Sequence, residues 1–204
     1  MRGRGKCFAL LVMAACIVTG CARGGKSSFD PGEDRVMIER DGTCRSASVA
    51  QGTGGKYDEK ELKAFVQESL ERFNEEHGEG SAELSDASIK DQTIKVFVDY
   101  ASPQLYLDLA EENQDENVKW TLLETGALEE YSEELSNVTF VTDRQKAADI
   151  ADILKEKNLR VVATEGDGLI QTEGKVRYIT EGCSMRDSYT VQTTEGSINY
   201  IIFE

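Results

Sequence analysis

The chain has 204 residues, 30% of them charged, with 38 acidic against 23 basic side chains and a net charge of −15. A surface this acidic repels phosphate, which argues against nucleic acid, against lying flat on anionic lipid, and against teichoic-acid-like polymers unless cations bridge them. A single histidine excludes two-histidine metal motifs and histidine-rich zinc sites by count.

Residues 1–20 carry Arg2, Arg4 and Lys6 ahead of an apolar run from Cys7 to Val18. That run is too short to span a bilayer as a helix, and the layout is that of a secretory signal peptide. Val18-Thr19-Gly20-Cys21 resembles the lipobox of bacterial lipoproteins. The resemblance implies cleavage before Cys21 and diacylglycerol on its thiol, so the chain is expected at the cell membrane, lipid-anchored and facing outside the cytoplasm. Acyl chains supply the two signals that stable anchoring needs. Cleavage leaves 20 basic against 38 acidic residues, a net charge of −18. Residues 21–34, rich in glycine and serine after Cys21, read as a flexible tether with a reach of roughly 20 Å.

Residues 35–204 are expected to form one domain. "RVMIERDGTCRSASVAQ" reads as a hairpin turning at Asp41-Gly42, and the "GTGGK" loop leads to a helix. Asp58 and Glu61 there have capping-box spacing, with Tyr57 and Leu62 at the staple positions. Leu62, Phe65, Val66, Leu70 and Phe73 recur at threes and fours as its apolar face, and Gly78 stops it. "AELSDASIKDQTIKVFVDY" reads as two strands joined near Asp91-Gln92. "SPQLYLDLAEEN" reads as a short helix with Ser102 as cap and Pro103 at its first position. "NVTFVTD" is expected to be a strand, and "RQKAADIADILKEKN" a further amphipathic helix presenting Ala147, Ile150, Ala151 and Leu154. "LRVVAT", "KVRYIT", "SYTVQT" and "INYIIF" close the chain as strands. The expected class is α+β, mainly antiparallel strands with two or three amphipathic helices packed on one face.

The stretches "VMIERDGTCRSA", "YDEKELKAFVQESLERFNEEHG", "IKVFVDYASPQLYLDLAEEN" and "GKVRYITEGCSMRDSYTVQTTEGSINYIIFE" resemble a family of uncharacterised lipoproteins of Gram-positive gut bacteria of the clostridial kind. The resemblance implies an anchored domain in a Gram-positive envelope and carries no catalytic motif.

Candidate chemistry is sparse. "QGTGGKY" lacks the first glycine of a phosphate loop and places Tyr57 where a magnesium-binding hydroxyl belongs. "NQDENVKWTLLE" offers oxygen ligands at Asn113, Asp115, Asn117 and Glu124 for calcium, but Val118 replaces the glycine of the sharp turn. No other cofactor is indicated. Cys44 and Cys183 are the thiols that remain after processing. A disulfide between them would staple the two ends of the domain, with two buried free thiols as the alternative. No G-x-S-x-G or serine-x-x-lysine pattern occurs, and among 38 acidic residues no carboxylate pair stands out. His77 lies at a helix C-terminus, where it suits the dipole. Tyr100, Tyr106, Trp120 and Tyr131 are either core or a patch that stacks sugars or peptides.

The sequence therefore points to a membrane-anchored, non-enzymatic module of the cell envelope that binds or scaffolds a protein or glycan. A carboxylate-based hydrolase acting on cell-wall or dietary glycans is the alternative. A two-lobed solute-binding protein would need a longer chain.

Overall fold

The computed structural model describes residues 29–52 and 58–204. The segment expected to be a signal peptide, Cys21, the expected staple residue Tyr57 and most of the GTGGK loop lie outside the described residues. The expected hairpin is β1 (Arg35–Ile38) with β2 (Cys44–Gln51), paired antiparallel. Helix α1 (Glu59–His77) begins where Asp58 accepts from the Lys60 and Glu61 amides and ends at Gly78, at φ 107.

Strands β3 (Ala82–Lys90) and β4 (Thr93–Tyr100) are joined at Asp91 and Gln92, both with positive φ (49 and 66), as a tight two-residue hairpin turn requires. Helix α2 (Pro103–Glu112) starts on proline, as expected. Beyond it come β5 (Leu122–Ala127), two 3₁₀ turns at Leu128–Tyr131 and Glu134–Asn137, and β6 (Phe140–Thr142). Strand β8 (Arg160–Glu165), β10 (Val176–Thr180), β12 (Thr190–Gln192) and β13 (Ile198–Phe203) are the four expected C-terminal runs. They are joined by β9 (Leu169–Thr172) and the two-residue β11 (Ser184–Met185).

The expected helix over 144–158 does not form. Ala147–Ala148 instead make β7, pairing with β6 across a turn in which the Thr142 amide donates to Lys146 O at 2.8 Å and Gln145 takes φ 57. Only Ile150–Ile153, α3, remains helical, with Asp149 as its cap. A tertiary strand pairing outcompetes a moderate helical pattern here, and Leu154, assigned to the apolar face, is half in solvent.

The strands form two sheets, ordered β11-β12-β9-β1-β2-β4-β3 and β5-β8-β13-β10-β6-β7. β1 and β9 pair in parallel, and every other named pairing among the described residues is antiparallel. The class is α+β. Alternation splits the second sheet cleanly. Val162, Ile201 and Phe203 enter a core shared with Val36, Ile38, Val98 and Ile170 of the first sheet and with α1 and α2. Val161, Ala163, Tyr200 and Ile202 enter a second core under α3 and the 3₁₀ turns. Thus α1 and α2 serve one core, and α3 lies on the other side.

Of the residues read as tether, the described ones are docked. Phe29 meets Phe97 edge-on at 6.0 Å, Pro31 is buried, and Asp30 pairs with Lys95 at 2.6 Å. Asp34 Oδ1 accepts from the Val49 amide at 2.7 Å. This strap covers the face of the first sheet that carries Phe97, opposite the one holding Val96 and Val98. Among the described residues no helix is long and apolar enough to cross a membrane.

Candidate functional site

Strand β2 is hydrogen-bonded to β4 along its length and to β1 over Cys44–Ala47, and its side chains on the helix side form the surface on which a ligand could lie. Its alternate residues Cys44, Ser46, Ser48 and Ala50 are all small. No side chain there rises to meet the helices, whereas neighbouring β4 presents Ile94, Val96 and Val98. The result is a groove of about 750 Å³ with a floor of small residues. That volume falls within the usual span of small-ligand sites.

Helix α1 supplies one wall through Phe65, Val66 and Ser69, and the other comes from Tyr106 and Leu109 of α2 with Val118 and Trp120 of the following loop. Phe65, expected in the core, is 71% exposed. It lines the groove across from the small residues of β2. Tyr100 closes the deep end, its hydroxyl 3.4 Å from Ser46 Oγ, and burial raises its pKa. Tyr106 packs edge-on to Tyr100 at 5.5 Å and lies 6.2 Å from Trp120. Burial likewise pushes the Tyr106 phenol up, so both tyrosines are neutral donors.

Trp120 is held by a saturated hydroxyl. Thr193 is fully buried; its Oγ1 accepts from Trp120 Nε1 at 3.3 Å and from the Gly168 amide at 3.1 Å, and donates to Gly166 O at 2.8 Å. The indole lies directly against Gly168, where an added Cβ would fall 2.3 Å from the ring. Of the four aromatics singled out in the sequence, Tyr100, Tyr106 and Trp120 thus meet at the groove. Tyr131 packs against the second core instead.

The charged groups around the groove are Arg35, Arg72 and three aspartates that are each bound to a neutral donor. Asp34 accepts from the Val49 amide, Asp115 from the Asn117 backbone and side chain at 3.0 Å, and Asp167 from Gln192 Nε2 at 2.6 Å. The Arg35 guanidinium turns to Gln171, Thr190 and Glu33.

The calcium expectation loses its ligand set. Asn113, Asp115 and Asn117 stay together at the groove, but Glu124 sits on β5 beside the buried Leu123 of the first core and faces the other way, toward Tyr131, whose pKa is raised by burial first and then by the Glu124 charge. Among the described residues no three His, Cys, Asp or Glu side chains gather as a metal site.

The structure does not join Cys44 to Cys183 either; both are buried free thiols. Cys44 Sγ donates to Ser102 O at 3.7 Å and Cys183 Sγ to Asn199 Oδ1 at 3.0 Å, so each thiol is satisfied locally. Burial raises both pKa values, that of Cys183 to about 11, which suppresses the nucleophilic thiolate. His77 lies elsewhere, stacked on Phe73 at 4.1 Å and hydrogen-bonded to Glu112 at 2.7 Å, where it clasps α1 to α2.

The sequence signal for the groove is small residues at every second position of an otherwise strand-like run. Compared with protein-family models, curated proteins and solved structures, the chain finds no match in any of the three.

Proposed function

We propose that this chain is a lipoprotein of the bacterial envelope, anchored through diacylglycerol on Cys21, whose domain holds a ligand in the β2 groove without transforming it. The observation that carries the binding role is a groove with a floor of Ser46, Ser48 and Ala50 and walls of Phe65, Tyr106 and Trp120. Aromatic walls over a concave floor of small residues are a common composition of a binding site. Retention rather than turnover is favoured because the three groove aspartates are each engaged by a structural donor, and His77 is committed to Glu112. An acid–base pair acting on a glycan would need two carboxyls aimed at one bond.

Trp120 is the single tryptophan of the chain, so its emission reports on the groove alone. The mature chain with Cys21→Ser is titrated with peptides and oligosaccharides while emission is followed, and bound material is recovered for mass analysis. A saturable change that disappears in Ser48→Leu, which fills the floor, supports the binding role. Cleaved ligand would establish the hydrolase instead. The anchor is tested separately by the mass of the N-terminal peptide from membranes; an unmodified Cys21 would refute it.

A further inference from the structure

The groove's chemistry specifies its occupant, given that the groove is the binding site. We propose that it takes an extended stretch of polypeptide in which apolar side chains alternate with lysine or arginine. Three features carry this.

First, the floor positions repeat every second residue along β2, a spacing of about 7 Å that matches the i, i+2 repeat of an extended chain. β2 is paired along its length with β4 and over Cys44–Ala47 with β1, and beyond the end of β1 its Val49 amide is taken by Asp34, so the guest is read through its side chains and not by adding a strand.

Second, above the serine and alanine floor the groove presents aliphatic Val66, Val96, Leu109 and Val118, and the polar pair at the deep end, Ser46 and Tyr100, lies at mutual hydrogen-bonding distance. A glycan would set hydroxyls against these aliphatic side chains, where an unpaired polar group is costly.

Third, the mouth is acidic. Asp34, Asp115 and Asp167 each accept from a neutral donor, so those hydrogen bonds leave the carboxylate charge in place. Two cations oppose them: Arg35, paired with Glu33 at 3.5 Å, and Arg72, with Glu68 and Glu76 one turn to either side of it on α1. The mature chain's net charge of −18 adds a long-range attraction for cations.

The probe is a nine-residue peptide of alternating lysine and leucine, compared with its glutamate–leucine counterpart and with a neutral chitin oligosaccharide, all read by Trp120 emission. The cationic peptide is expected to bind saturably and to lose about tenfold in affinity between 50 and 500 mM salt. Asp115→Asn and Asp167→Asn, which keep the hydrogen-bonding shape, are expected to weaken it about threefold each. No saturable response to the cationic peptide, or equal affinity for the acidic one, overturns the proposal. If only the oligosaccharide responds, and Ser48→Leu abolishes that response, the groove remains the site and the peptide assignment fails. If the cationic response persists unchanged in Ser48→Leu, the peptide binds outside the groove and both readings fall.

Discussion

Replacing Gly166 by alanine tests how the Trp120 wall is built. Gly166 has φ +129, a conformation that L side chains rarely adopt, and a Cβ there would fall 2.3 Å from Lys119 O and 2.8 Å from Trp120 Cα. The obstacle is backbone, so the 119–120 segment must move, and with it the 2.9 Å bond from the Thr121 amide to Glu165 O. Backbone strain of about 1–3 kcal/mol and steric displacement of similar size give a loss of about 4 kcal/mol. Gly196 is the internal control: its φ is +91, but nothing lies within 4 Å of an added Cβ, so Gly196→Ala carries the strain alone, about 1–2 kcal/mol. The entropy that alanine removes from the unfolded chain is common to both and cancels in the comparison. At about 2–4 °C per kcal/mol for a domain of this size, the two melting points should differ by roughly 6 °C, with Gly166→Ala the lower. Thermal unfolding followed by circular dichroism measures the difference, and Trp120 emission in the folded Gly166→Ala protein should also shift. Equal melting points for the two variants would refute the close approach on which the wall depends.

Two further measurements address the thiols and the strap. Cys44 and Cys183 should react slowly with a thiol reagent in the folded protein and both react on unfolding, since each is buried with a raised pKa; intact mass showing the loss of two hydrogens to a disulfide would contradict the separate-thiol arrangement. The Asp30 carboxyl is held below its usual range by its hydrogen bond to Lys95 and by that residue's charge. A depressed carboxyl stabilises the fold above its unfolded pKa of about 4, and the contribution is lost as pH falls through the folded value. The melting-point gap between the unmodified chain and Lys95→Ala should therefore be present at pH 7 and close as pH drops toward 2; a gap that persists at acidic pH would mean that Lys95 acts through packing instead.

Local chemistry was legible wherever several signals agreed on one short segment. Asp58, the spaced apolar residues and Gly78 fixed α1 from cap to stop, and Pro103 fixed the start of α2. The Asp91-Gln92 turn and the alternation of β4 were equally plain. The failures have a common cause. The 144–158 segment carries a moderate helical pattern, but β6 offers Ala147–Ala148 a strand partner, and pairing with an existing edge outweighs weak propensity. Phe65 has ideal spacing for a core residue, yet periodicity says only which way a side chain points, not whether anything large stands opposite.

The calcium reading failed in the same way: Glu124 has the right offset from Asn113, and β5 turns it to the far face. Sequence alone determined charge, the α+β class and most element boundaries, because these depend on composition or on residues within a turn or two of one another. Only tertiary structure decided that Phe29–Asp34 is a strap, that Cys44 and Cys183 stay apart, and that three of four aromatics meet over small residues of β2. Each of these depends on which strands become neighbours, a choice settled by how the whole chain buries its apolar surface.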